Sequence, residues 1–367
     1  MNRRTRNIIC TACRLVLALT FIFSGAVKSM DPWGTAMKIE EYLSIYGFEE
    51  LSGASMVFSV WLCGAEMMMG LMLLFGVRIR LVSTIAFVSM LFFTVLTLLS
   101  ATVIPVEDCG CFGDAVKLTP WQTFAKNAVL LPMSFVVMWC NRHGRMFCFN
   151  MREVLLAALF FAVSIGLGCY SYLHLPPIDF LPYKVGVNIG AEMERAAAED
   201  ASRDVRTVLV YRNISTGKLH EFALEDEEWR DSSLWEWADT YTTGDEHSMR
   251  PTVAEFAVRD VEGDATGDIL SVQGRLYMFC TDDASALDGP CRSRLEHMAA
   301  RAAAEGAQVI CLTSKPLHDV TYISAGGLDI RCYNVDASTL KTMLRARSGV
   351  VVLDDGTITD KRNCRDM

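Results

Sequence analysis

Leu81-Val-Ser-Thr-Ile-Ala-Phe-Val-Ser-Met-Leu-Phe-Phe-Thr-Val-Leu-Thr-Leu-Leu-Ser-Ala-Thr-Val-Ile104 runs for 24 residues without a charged side chain. A helix of that length crosses the roughly 30 Å hydrocarbon core of a bilayer, so this stretch sets the class of fold. Working outward, residues 8–27, 54–75, 121–139 and 154–173 are further apolar stretches of spanning length, which makes five spans. The first also reads as a signal peptide, because Arg3, Arg4 and Arg6 precede an apolar run that ends in Ser24-Gly25-Ala26. The four spans that follow favour a retained helix.

The 367 residues carry a net charge of −9 and 13 cysteines. Residues 1–174 hold 13 Lys/Arg against 10 Asp/Glu, whereas residues 175–367 hold 21 against 33. The expected layout is a transmembrane bundle over 1–174, a proline-containing linker over 175–204 and a soluble domain over 205–367. Arg3, Arg4 and Arg6, then Arg78 and Arg80, then Arg142, Arg145 and Arg152 fall on one side if five helices cross. Basic loops stay in the cytoplasm, so the loop after the third span and the soluble half are expected outside a bacterial inner membrane, where disulfides persist. The acidic surplus argues against nucleic acid or anionic lipid as a partner. The lipid bilayer is the partner the spans require.

That outward loop reads Val106-Glu-Asp-Cys109-Gly-Cys111-Phe-Gly-Asp114. A Cys-x-Cys pair closes a small, strained disulfide, and strained disulfides exchange readily, so Cys109 and Cys111 form a candidate redox pair; a structural bridge is the other reading. Two thiols without a nearby histidine are too few for a metal, and none is expected. Lys126, inside the fourth span, either snorkels to the surface or stabilises a thiolate in the loop. Asp31-Pro32 reads as the capped start of a helix roofing the bundle beside this loop.

Phe23-Ser-Gly-Ala-Val-Lys28 before Asp31-Pro32, Glu66 and Gly70 running into Gly76, and Cys109-Gly-Cys-Phe-Gly113 followed by Trp121 and Asn127 resemble the DoxX-like membrane proteins, in particular their methylamine utilisation MauE branch, over about residues 1–140. The resemblance implies a helical bundle that supports disulfide formation in partner proteins outside the membrane, or that passes sulfur-derived electrons to a quinone. Glu66 lies mid-span, where a carboxylate is costly unless paired, protonated or facing a polar cavity. It reads either as a proton acceptor or quinone contact, or as the structural partner of Arg14 or Lys28. Cys10, Cys13, Cys140, Cys148 and Cys169 read as incidental small hydrophobes.

Beyond the linker, apolar runs at 207–211, 275–280, 308–312, 330–333 and 350–358 alternate with helical patterns at 290–305 and 338–345, an α/β arrangement. Asp354-Asp-Gly356 between apolar runs marks a closing hairpin. This order resembles a thioredoxin-like domain, with 254–263 similar to the strand entry of peroxiredoxin-like relatives. Such a domain carries Cys-x-x-Cys at its first helix; here Asp288-Gly-Pro-Cys291 stands in its place, and Arg347-Ser-Gly349 replaces the usual proline. The domain therefore reads as redox-degenerate, with Cys291 alone placed for exchange with Cys109 or Cys111. Cys280, Cys311 and Cys332 read as core, and Cys364 in the tail carries no signal. The leading functional reading is a membrane thiol–disulfide oxidoreductase that relays electrons from periplasmic protein thiols. The alternative is a non-catalytic anchor or assembly module that binds a partner through its thioredoxin-like surface.

Overall fold

The computed structural model describes residues 2–102, 110–143, 150–201, 206–214, 217–223, 226, 228–231, 233–243, 253, 256–284, 287, 289–317 and 322–367. Cys109, Cys148 and Asp288 lie outside the described residues. Five described helices are long and apolar enough to cross a membrane. They are α1 (Arg3–Met30), α3 (Ser55–Phe75), α4 (Ile79–Thr102), α5 (Pro120–Asn141) and α6 (Met151–Leu173), with the shorter α2 (Pro32–Ile45) between the first two.

Local chemistry sets the ends of these helices. The Asp31 side chain accepts from Gly34 N at 3.0 Å with Pro32 at the first helical position, so α1 stops where α2 is capped. Gly76, at φ +68°, closes α3 in the left-handed conformation that glycine adopts without steric cost. Thr119 and Gln122 form a reciprocal capping box at the start of α5. Two glycines decide how the bundle packs: a Cβ on Gly25 would lie 2.4 Å from Met67 N, and one on Gly70 would lie 2.6 Å from Ile22 N. Small residues are what let membrane helices approach this closely, and α1 and α3 therefore cross nearly backbone to backbone. Leu17, Phe21, Leu73, Val82, Leu130 and Phe160 fill the bundle core. Asn127 Nδ2 donates to Thr97 Oγ1 at 3.3 Å, tying α5 to α4. The helix order collects Arg3, Arg4, Arg6, Arg78, Arg80 and Arg142 at one end of the bundle, and Asp31, Cys111 and His174 at the other.

The remaining elements are α7 (Ile189–Ala201), β1 (Arg206–Asn213), β2 (Leu219–Ala223), β3 (Trp235–Thr243), β4 (Val258–Arg259), α8 (Thr266–Leu270), β5 (Arg275–Thr281), α9 (Gly289–Glu305), β6 (Gln308–Thr313), β7 (Tyr322–Ala325), β8 (Leu328–Val335), α10 (Ala337–Leu344), β9 (Ser348–Asp354) and β10 (Thr357–Asn363). The chain divides into two compact units, one of Met1–Val187 with Ala257–Met367 and the other of Asn188–Phe256. In the second, β1 pairs antiparallel with β2 and β3, and Tyr211 stacks on Trp229 while Phe222 meets the edge of Trp235.

In the first unit, the sheet runs β10-β9-β5-β6-β8-β4, with β7 on β8. β5, β6 and β8 are parallel, whereas β9 and β10 close an antiparallel hairpin through Asp355 and Gly356, both at positive φ, as a tight primed turn requires. The central strands are continuous apolar runs because both faces are covered, and Phe279, Leu295, Ala299, Ile330 and Val350 share one core. Cys311 and Cys332 lie opposite each other in that core. Burial pushes the Cys280 thiol up to about 12, as expected for an inert core cysteine. Cys291, in the first turn of α9, forms a disulfide with Cys364.

Gly25→Ala should destabilise the detergent-solubilised protein by about 1–3 kcal/mol, because its methyl meets backbone and not a yielding side chain. Gly53→Ala, where nothing lies within 4 Å, should leave the melting curve unchanged. Cys364→Ser should cost about 2–5 kcal/mol, read as faster proteolysis within 257–367, because the bond closes a chain separation of 73 residues.

Candidate functional site

The described part of the cysteine loop is docked on α1. Gly113 N donates to Gly110 O at 3.1 Å, and both glycines take positive φ, so the chain turns tightly around Cys111. The Ser24 hydroxyl lies 2.6 Å from the Cys111 carbonyl and 3.0 Å from Glu66 Oε2, and shares its one proton between these two acceptors. Phe112 packs on Phe23 with ring centroids 5.4 Å apart, and Lys126 Nζ sits 4.3 Å from the Phe112 centroid. Lys126 thus holds the residue next to Cys111 by a cation–π contact.

Beneath the loop lies the pair that carries the charge of the bundle. Lys28 Nζ is 2.5 Å from Glu66 Oε2, with both side chains only 8% exposed. The same ammonium interacts electrostatically with Cys111 and Cys63. Cys63 is fully buried one helical turn before Glu66, and its Sγ lies 3.7 Å from Thr35 Oγ1 of α2. Lys28 therefore stands against the Glu66 carboxylate, on the polar floor that also holds Ser24 and Cys63 and on which the Cys111 turn rests. Of the two cations considered for Glu66, the structure brings Lys28 to it; Arg14 lies near Gly76, at the opposite end of the bundle.

Next to this cluster, Arg345 reaches from the end of α10 into the bundle. Its Nε is 2.9 Å from Asp31 Oδ2 and its Nη2 is 2.7 Å from Asp114 Oδ2, with the side chain 4% exposed. Gly34 leaves room for the group: a Cβ there would fall 2.8 Å from Asp31 Oδ2 and 3.3 Å from Arg345 Nη2. Burial pushes the Asp31 carboxyl upward, and Arg345 opposes that. Lys117 adds a looser contact to Asp114 at 3.8 Å.

Cys291 is only 6% exposed and has Cys364 as its disulfide partner, so any exchange with the loop starts from that bond. The tail is pinned as well: Arg294 Nη1 donates to Cys364 O at 2.5 Å, and Asp366 Oδ1 lies 2.6 Å from His174 Nδ1 at the end of α6. Among the described residues, no three His, Cys, Asp or Glu side chains gather as a metal site. The sequence assigns no role to Arg345 and no signal to Cys364; in it Asp31 reads only as a cap and Asp114 only as the end of the loop.

Residues 6–140 match the family model of the methylamine utilisation protein MauE. The match spans α1 to α5, and so takes in Lys28, Glu66, Cys63, Cys111 and both carboxylates that hold Arg345. Neither a curated protein nor a solved structure matches the chain. The loop geometry of the MauE-like segment thus rests on a cation, Lys28, that the segment itself contains.

Lys28→Met and Glu66→Leu should each cost about 3–5 kcal/mol in detergent unfolding, since each leaves one buried charge unpaired. The double variant should recover most of that loss. Additive losses would mean that the two side chains do not depend on each other.

Proposed function

We propose that the chain is a multi-pass membrane thiol–disulfide oxidoreductase of the MauE type, within the wider DoxX-like group, that oxidises dithiols of partner proteins outside the cytoplasmic membrane. The observation that carries this reading is the seating of Cys111 over the buried Lys28–Glu66 pair, held there by Ser24. A partner thiolate attacks one sulfur of the Cys109–Cys111 disulfide, forming a mixed disulfide and releasing the other sulfur as a thiolate. The partner's second thiol then resolves the mixed disulfide, so the partner loses two electrons and the loop becomes a dithiol. Re-oxidation of the loop passes two electrons and two protons to a membrane oxidant. A quinone is the class that the family resemblance implies, but Glu66 is committed to Lys28 and Ser24, which does not fit a quinone contact at that carboxylate. No step is therefore assigned to a quinone.

Two features support the outward orientation. The seven described arginines of the bundle ends, Arg3, Arg4, Arg6, Arg78, Arg80, Arg142 and Arg152, lie opposite Cys111, as basic loops kept in the cytoplasm require, and Arg145 lies outside the described residues. The Cys291–Cys364 disulfide belongs in an oxidising compartment. The parallel β5–α9–β6 crossover followed by the β9–β10 hairpin, with a cysteine in the first turn of α9, favours a thioredoxin-like origin for 257–367.

Expressed in cells, Cys109→Ser or Cys111→Ser should accumulate a reductant-sensitive adduct with an extracytoplasmic protein, because the remaining thiol can attack or be attacked without being resolved. Absence of adducts from both variants, with partner disulfides unaltered, would leave the anchor reading in its place.

A further inference from the structure

We propose that Arg345 is a positioning residue for the reactive thiol: the fused α/β domain, by inserting this one side chain, holds the Cys111 loop in its place over Lys28. This rests on reading Cys111 as reactive.

Asp31 ends α1, and Asp114 is three residues past Cys111, so one guanidinium joins the bundle wall to the thiol loop. The two carboxylates lie close enough to interact with each other, and the interaction is repulsive when both are ionised. Without a cation between them, a buried like-charge pair must protonate or separate. Lys117, at 3.8 Å from Asp114 and 30% exposed, meets that carboxylate more loosely than Arg345 does at 2.7 Å. The guanidinium fork suits two acceptors at once, and a lysine in its place would present a single point charge.

The position is also built at some cost. Arg345 takes φ +50°, a left-handed conformation that costs a non-glycine residue roughly 1–2 kcal/mol. Its Nη1 is further held by Met37 Sδ at 3.3 Å and by Lys341 O at 3.4 Å. The surrounding contacts thus over-determine a side chain that gives up backbone ease to reach the bundle. Released from Arg345, Asp114 moves away from Asp31. The short turn from Gly110 to Gly113 then carries the Cys111 carbonyl off Ser24.

The test uses the purified full chain and follows two quantities, the amide hydrogen exchange of residues 110–114 and the equilibrium of the Cys109–Cys111 pair with glutathione. Arg345→Gln should raise exchange in the loop. It should also move the glutathione equilibrium of the pair by about tenfold, roughly 30 mV, because the loop no longer holds Cys111 in one position. Adding Asp114→Asn to Arg345→Gln removes the repulsion and should restore both readings, and Arg345→Lys should fall between. Continued protection of Cys280 and Cys311 from alkylation shows that the domain remains folded. Unchanged loop exchange in Arg345→Gln, or no recovery on adding Asp114→Asn, would overturn the proposal. A wild-type pair that never equilibrates with glutathione would instead sink the relay reading, while loop exchange would still decide the role of Arg345. Should Arg345→Gln not fold, Arg345→Lys alone decides by the same exchange measurement.

Discussion

The Lys28–Glu66 pair is the constraint on which the rest of the structure depends. A carboxylate on α3 and an ammonium on α1 are each expensive in a low-dielectric bundle, and each becomes tolerable only against the other. The pair can meet at 2.5 Å because Gly25 and Gly70 let the two helices approach until backbones touch. Once made, it leaves a buried polar floor at one end of the bundle. Ser24 caps that floor, Cys63 lines it, and the Cys111 turn rests on it. The seat of the loop is thus set from below by the membrane helices.

Residues 257–367 reach the same end of the bundle. Arg345 closes the gap between Asp31 and Asp114, and the tail carrying Cys364 is fastened by Arg294 and ends at His174. A MauE-like segment with a thiol loop in this way acquires a second, covalently attached support. Its two supports differ physically. The lower one is a single ion pair between two bundle helices, and the upper one a buried guanidinium shared by two carboxylates, of which Asp114 is the more exposed.

Much of the architecture was legible because membrane helices and capped helix starts have local signatures. The described residues of the five apolar runs fall in the five spanning helices to within one residue, and Asp31-Pro32 caps α2 through Gly34. The Asp355-Gly356 turn closes the last hairpin for the same local reason. What was not legible depends on register. Arg14 and Lys28 both lie on α1, and only the depth at which α1 crosses α3 brings Lys28 to Glu66. Arg345 meets Asp114 across 231 residues and Asp31 across 314, with no local pattern to mark it. Cys364 finds Cys291 across 73. The Leu219–Ala223 strand was missed because it buries only Phe222 and so shows no alternation, and α7 stands within the 175–204 stretch read as linker.

The central claim is that the Cys109–Cys111 loop alternates between dithiol and disulfide while the protein works. The most direct measurement is the redox state of these two cysteines in intact cells, fixed by rapid acid quenching and resolved by mass-tagged alkylation. The account predicts that both states are populated, and that the dithiol fraction rises when membrane oxidants are withheld. A single state, unchanged when oxidant supply is altered, would contradict it.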